Sequence, residues 1–114
     1  MLLKVADVAD LVDGSMKKVM VNGNEILLAR VGGQLYALDN KCPHMGGDLS
    51  AGTLEGSTVT CPRHGSQFDV RTGQNLRWTK FTGLAKTAFT VIKSPRPAKT
   101  YKVHVSNGDI SIEI

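Results

Sequence analysis

Two short motifs combine cysteine with histidine, and they hold the residues of this chain best suited to chemistry. The first reads C-P-H at residues 42–44, and the second reads C-P-R-H at residues 61–64. Cysteine thiolates and imidazole nitrogens are both metal ligands. The spacing therefore predicts a metal centre whose ligands are Cys42, His44, Cys61 and His64.

The order of these ligands bears on which metal they hold. A Cys2His2 set can bind tetrahedral zinc, but the common zinc order is a cysteine pair followed by a histidine pair, with at least two residues inside each pair. Here each motif mixes the two types, and the first motif has a single spacer residue. A mixed order suits a dinuclear centre in which each motif gives its cysteine to one iron and its histidine to the other. A zinc site, or a degenerate site that binds no metal, is the alternative.

The motifs resemble the C-x-H…C-x-x-H-G pattern of the Rieske family, and in particular the Rieske ferredoxins of ring-hydroxylating dioxygenases. That resemblance implies one Rieske-type [2Fe–2S] cluster, in which two histidines replace two cysteines on one iron. Glycines in both loops would let the backbone wrap closely around such a cluster. The residues expected to surround it are Met45, Gly46, Gly65, Ser66, Phe68 and Pro95.

The resemblance also bears on the reduction potential. High-potential members of the family carry an extra cysteine in each loop, joined by a disulfide, where this chain has Gly47 and Arg63. They also carry a serine and a tyrosine that donate hydrogen bonds to cluster sulfur. This chain keeps Ser66 but has Phe68 in the tyrosine position. With one donor lost, the resemblance implies a low to intermediate potential for a Rieske centre.

Short strands must position the two loops. Apolar and β-branched runs alternate with turn signals such as Asn22-Gly23 and Gly32-Gly33, a pattern typical of an all-β chain. We therefore expect an antiparallel β-sandwich or small barrel, with the two loops at one end. Residues 7–13 are expected to form a loop or a single helical turn. The predicted strands cover residues 2–5, 16–21, 25–31, 34–38, 58–60, 100–105 and 109–114.

The length of 114 residues predicts a single domain over 1–114, with a cluster-binding region at about 39–70. An inserted segment at about 75–93 fits neither the helical nor the strand period cleanly, although residues 88–92 could form a strand. It is either a surface excursion that packs its aromatic residues on the barrel or a partner-docking flap near the cluster. The following residues 94–97, S-P-R-P, resemble the family's proline loop, which covers the cluster from a third side.

Composition limits the partners and the compartment. Both cysteines lie in the motifs, so no structural disulfide is expected within the chain, which favours a reducing compartment. Neither a secretory signal nor an apolar run long enough to span a bilayer is evident, and a cytoplasmic protein is expected. The formal net charge is +4, which cluster insertion leaves unchanged and which favours an acidic partner surface. No basic run exceeds Lys17-Lys18, so nucleic-acid binding is not expected.

Together these features indicate a one-electron carrier that is not itself an enzyme. By resemblance, a flavin-dependent ferredoxin reductase would donate the electron, and a terminal oxygenase or another oxidoreductase would accept it. The alternative is a Rieske-like small subunit of an oxidoreductase complex such as assimilatory nitrite reductase. Among the other polar residues, we expect His104 to be exposed, and Asp39 and Asp48 to be turn-forming carboxylates.

Overall fold

The computed structural model describes residues 1–43, 46–63, 65–77 and 96–114. Within these ranges the strands form three antiparallel sheets, with the orders β1-β11-β10, β2-β3-β4-β9 and β5-β6-β7-β8. The predicted all-β antiparallel class is therefore confirmed. No helix in the same ranges has the length and apolar character that crossing a membrane requires. The strands are β1 Leu2–Asp7, β2 Met16–Val21, β3 Asn24–Val31, β4 Gln34–Asp39, β5 Thr53–Glu55, β6 Thr58–Thr60, β7 Gln67–Asp69, β8 Asn75–Arg77, β9 Thr100–Tyr101, β10 Val103–Ser106 and β11 Asp109–Glu113, and the two 3₁₀ helices are Val8–Asp10 and Leu49–Ala51.

The β2-β3-β4-β9 sheet is apolar on both faces, and β3 shows why. Ile26, Leu27, Leu28 and Ala29 are all fully buried, although successive side chains of a strand point to opposite faces. Ile26 and Leu28 pack in a core shared with β1 and β11. Leu27 and Ala29 pack in a second core, shared with β6 and β7, which also contains both cysteines. We call this second core the cysteine core.

Two-residue turns fix the strand register, as the sequence predicted. Asn22 and Gly23 connect β2 to β3 with φ values of 50° and 81°. Asn107 and Gly108 connect β10 to β11 with φ values of 53° and 80°. Both central residues are left-handed, the conformation that a tight antiparallel hairpin needs and that Asn-Gly adopts most readily.

Three features differ from the expected strands. The run over 100–105 is not one strand, because β9 pairs with β4 whereas β10 pairs with β11, so the chain changes sheet at Lys102. Strands β5 and β7 were not predicted, and β8 begins within the segment expected to be an insertion. The rest of that segment, including residues 88–92, lies outside the described residues, as do Ser94 and Pro95 of the proline loop.

Candidate metal centre

Strands from different sheets deliver the two cysteines to one core. Cys42 lies three residues beyond the end of β4, and Cys61 directly follows β6. Their relative exposures are 3% and 2%, so water has little access to either side chain. Both pack in the cysteine core with Leu49, Val59 and Phe68. The fold therefore brings the two predicted sulfur ligands together in an apolar environment.

The loops that carry these cysteines have the same backbone pattern. In the first loop the Cys42 amide donates to the Gly47 carbonyl at 2.7 Å, and the Gly46 amide donates to the Cys42 carbonyl at 2.9 Å. In the second loop the Cys61 amide donates to the Ser66 carbonyl at 2.8 Å, and the Gly65 amide donates to the Cys61 carbonyl at 3.0 Å. The loop is thus built twice, with a histidine two residues after the first cysteine and three residues after the second.

One glycine in each loop is required by this pattern. Gly46 and Gly65 occupy the fifth position of their loops and have φ values of 71° and 76°. A residue with a Cβ atom is strained at such φ values. The sequence suggested that these glycines let the backbone wrap closely. In the structure, each of them closes the turn that follows its cysteine.

The two loops also touch each other. A Cβ atom added to Gly47 would lie 2.6 Å from Cys61 Sγ and 3.2 Å from the Arg63 Cβ atom. Real Cβ atoms do not come so close to sulfur, so residue 47 must be glycine in this arrangement. Gly47 and Arg63 are the positions where the family resemblance places a disulfide in high-potential members, and they do face one another here.

These residues fit an iron–sulfur centre as far as the structure describes them. Two buried thiols in closed loops, with glycine backbone in place of side chains beside the sulfur, form a cradle that a compact inorganic group can occupy. Sulfur ligands of this kind are typical of zinc and iron–sulfur sites. His44, Met45 and His64 lie outside the described residues, so their assignment stays a prediction.

A polar network under the first loop was not predicted from the sequence. Asn40 is fully buried, and its Nδ2 atom donates to Asp48 Oδ1 at 2.6 Å and to Glu25 Oε1 at 3.1 Å. Its Oδ1 atom accepts from the Ser50 amide at 2.9 Å. Asp48 also accepts from the Ser50 hydroxyl and pairs with Lys18. The network joins the end of β4 to the segment that leaves the first loop, so both ends of that loop are held.

The same contacts set the charge of Asp48. Hydrogen bonds from Ser50 and Asn40, together with Lys18, stabilise the carboxylate and lower the pKa of Asp48 to about 2. Asp48 was predicted to be a turn-forming residue, and the structure gives it this larger role. No sequence spacing predicts the network, because its members come from β2, β3 and both sides of the first loop.

A second set of contacts holds the residues that directly follow the predicted proline loop. The Tyr101 hydroxyl donates to Asp39 Oδ1 at 2.5 Å, and the Asp39 amide donates to the Lys99 carbonyl at 2.9 Å. The Ala98 amide donates to the Gly73 carbonyl at 2.8 Å, and Ala98 is buried in the cysteine core. The chain that follows the predicted proline loop is therefore fixed beside both cysteines.

The remaining predicted residues divide into buried and exposed groups. Ser66 and Phe68 are both fully buried, and Phe68 packs in the cysteine core. Hydrogen bonding from Ser66 to a cluster sulfur stays a prediction. His104 is half exposed on β10 and lies 3.3 Å from Glu113, as expected for a histidine that is not a ligand.

Comparison with known proteins points to one family. The model of the Rieske [2Fe–2S] domain matches residues 1–88. The ferredoxin component of the naphthalene 1,2-dioxygenase/salicylate 5-hydroxylase systems of a Ralstonia species is 37% identical over 105 residues, which cover 92% of this chain and 88% of that protein. The ferredoxin of carbazole 1,9a-dioxygenase from Nocardioides aromaticivorans has a TM-score of 0.78 and 29% identity, over 98% of this chain and 96% of that chain.

A solved complex gives a further match. A structure of reduced oxygenase with oxidised ferredoxin in carbazole 1,9a-dioxygenase contains a chain that matches with a TM-score of 0.78 and 29% identity. The match covers 97% of this chain and 91% of that chain. The similarity therefore extends over nearly the whole of each compared chain.

Proposed function

This chain belongs to the Rieske [2Fe–2S] domain family, and on that basis we propose that it is the ferredoxin component of a ring-hydroxylating dioxygenase system. In that role it carries single electrons and is not itself an enzyme. The observation that carries the proposal is the extent of the match, since a ferredoxin component aligns over 92% of this chain and 88% of its own length. A match over both lengths supports a carrier of the same kind, with residues 1–114 as one domain and the cluster-binding region at about 39–70.

The proposed ligands are the four residues of the two motifs. Cys42 and Cys61 would hold one iron, and His44 and His64 the other. When bound, a Rieske cluster supplies a one-electron couple at roughly −150 to +300 mV. The matching backbone hydrogen bonds of the two loops fix the two cysteines, and Gly47 places no side chain beside the Cys61 sulfur.

The depth of the site suits electron exchange with another protein. The two cysteines are buried in the cysteine core, whereas the next residues of the second loop, Pro62 and Arg63, are exposed. The centre would thus lie one layer of residues below the surface. Water is kept from the thiolates, yet a partner that docks over the loops comes close to them.

The relatives, which are ferredoxin components of dioxygenase systems, support an oxygenase as one of the partners. We propose that a flavin-dependent ferredoxin reductase supplies the electron and that a terminal oxygenase accepts it. The proposed location is the cytoplasm, where a reducing environment keeps ligand thiols from forming disulfides.

Anaerobic stopped-flow spectroscopy tests this function. The reduced chain is mixed with the oxidised oxygenase component of a naphthalene or carbazole dioxygenase system, and the visible absorbance of the two proteins is followed. We expect one electron to leave each chain, whereas a Cys61→Ala variant without the cluster should donate none. The proposal would be contradicted if the chain reduced no such oxygenase and co-purified with a different oxidoreductase. That result would favour the alternative, a Rieske-like small subunit of an oxidoreductase complex.

A further inference from the structure

The charges of this chain are unevenly distributed along the sequence. From Val70 to Gly108 there are eight lysines and arginines and no aspartate or glutamate, so this stretch carries +8. The rest of the chain has six basic and ten acidic residues and carries −4. The net charge of +4 thus conceals a strongly basic stretch, whose members are Arg71, Arg77, Lys80, Lys86, Lys93, Arg96, Lys99 and Lys102.

The fold places one arginine of this stretch against the second loop. The Arg77 Nε atom donates to the Gly65 carbonyl at 3.0 Å. Arg77 also lines a surface cleft of about 280 Å³, together with Cys61, Pro62 and Gly65. A second arginine, Arg63, belongs to the loop itself, and its Cβ atom faces Gly47 of the first loop. We call Arg63 and Arg77 the arginine rim.

The arginine rim differs from most of the described cations in its ion pairing. Lys4, Lys17, Lys18 and Arg71 each form an ion pair with a carboxylate. Neither arginine of the rim forms an ion pair with any residue that the structure describes, and both are exposed.

Among the residues that the structure describes, the Arg77 side chain is bonded only through its Nε atom, and its two Nη groups have no hydrogen-bond partner there. A guanidinium fixed in this way can present its Nη donors to an incoming carboxylate.

We propose that the arginine rim is the electrostatic docking surface of this carrier and that it selects an acidic surface on the redox partner. The inference rests on the proposed function, because a rim beside the cysteine loops matters only if electrons pass there. Unbalanced positive charge beside the site raises the rate of encounter with a negatively charged surface. Carboxylates of the partner would then pair with Arg63 and with the Nη groups of Arg77, over the second loop.

The test uses two small oxidants of opposite charge, ferricyanide (3−) and hexaammineruthenium(III) (3+). The reduced holoprotein is oxidised by each reagent in a stopped-flow instrument, and the rates are compared for the unaltered protein, Arg63→Gln, Arg77→Gln and Lys4→Gln. Lys4→Gln is the matched control, since it removes the same charge from the β1-β11-β10 sheet. Arg77→Lys is also measured, because it keeps the charge but changes the contact with Gly65, and Arg63→Gln removes no hydrogen bond to any residue that the structure describes.

We expect Arg63→Gln and Arg77→Gln each to slow oxidation by ferricyanide about fivefold at about 10 mM ionic strength and to speed oxidation by the cationic reagent by a similar factor, whereas Arg77→Lys should leave both rates close to those of the unaltered protein. Lys4→Gln should change either rate less than about twofold, and the differences should vanish near 1 M salt, where the screening length is about 3 Å. The proposal would be overturned if the rim and control substitutions changed the oxidation rates equally. It would also be overturned if a rim substitution to glutamine slowed, or speeded, oxidation by both reagents. A chain that no oxidant or reductant alters would instead overturn the proposed function itself.

Discussion

Gly47 of the first loop and Cys61 of the second are packed so closely that no side chain fits between them. A Cβ atom on Gly47 would lie 2.6 Å from the Cys61 sulfur. The first loop follows β4 and the second follows β6, which belong to different sheets. The contact between Gly47 and Cys61 nevertheless makes the two loops a single structural unit. The position of one proposed ligand therefore depends on a residue that has no chemistry of its own.

The first prediction concerns this contact. Gly47→Ala should displace the Cys61 sulfur and cost about 1–3 kcal/mol of strain, with loss of iron and sulfide from the purified protein. Iron content and visible absorbance measure the effect. Gly56→Ala is the control, because an added Cβ there meets nothing within 4 Å, although its φ of 59° brings a backbone penalty. Retention of the cluster by Gly47→Ala would contradict the packing of the two loops.

The second prediction concerns Asn40. Asn40→Ala removes the hydrogen bonds that Asp48, Glu25 and the Ser50 amide make with Asn40 and should cost about 1–3 kcal/mol of unfolding free energy. The midpoint of thermal unfolding, followed by circular dichroism at a fixed scan rate, should fall by about 5 °C or more. Asn24→Ala is the control, since Asn24 is exposed and should change the free energy by less than about 0.5 kcal/mol. Equal midpoints for the two variants would mean that the network does not support the loop.

The third prediction concerns high pH. Burial, followed by the hydrogen bond to Asp39, raises the pKa of Tyr101 from 10.0 to about 12. Because the folded pKa lies above the ordinary value, the stabilisation is complete below about pH 10 and is lost as the pH rises towards 12. The near-ultraviolet absorbance of tyrosinate measures the ionisation, and subtraction of the Tyr101→Phe titration isolates this one group. A difference curve with its midpoint near 10 would show that Tyr101 is neither buried nor bonded to Asp39.

The fourth prediction concerns Phe68, which is fully buried in the core that holds both cysteines. Phe68→Tyr should add a hydrogen-bond donor near the proposed cluster and raise its midpoint potential by about 40 mV, equivalent to about 1 kcal/mol for one electron. Phe68→Leu is the control, because it disturbs the packing without adding a donor and should leave the potential unchanged. The same potential for both variants would mean that the ring edge does not face sulfur.

Much of the fold could be predicted from the sequence, because its signals are local. Strand β3 reads as an apolar run because both of its faces are covered, and Asn22-Gly23 turns the chain because both residues tolerate a left-handed backbone. Strands β5 and β7 escaped prediction, since three residues are too few to show a period, whereas the equally short β6 was predicted because it consists only of the β-branched residues Thr58, Val59 and Thr60. The division of residues 100–105 between two sheets depends on the pairing of Tyr101 with Ala37, which is distant in sequence, whereas Val103 pairs with Ile112 in the closing hairpin.

The site divides in the same way. Spacing and residue type predicted the two cysteines as ligands, and the structure places both in one core. Asn40 could not be predicted, because its importance lies in partners 8 to 15 residues away. Nor could the bond between Tyr101 and Asp39, which are 62 residues apart. Long-range hydrogen bonds of this kind have no sequence pattern, although they hold the ends of the loops.

The most direct test of the account is the midpoint potential of the purified protein, measured by protein-film voltammetry. Two cysteines and two histidines on a [2Fe–2S] cluster predict a reversible one-electron wave towards the lower end of roughly −150 to +300 mV. A wave near about −400 mV, typical of all-cysteine plant-type clusters, would contradict the assignment of His44 and His64. No wave at all would show that the four residues hold zinc or no metal, and the chain could not then be an electron carrier.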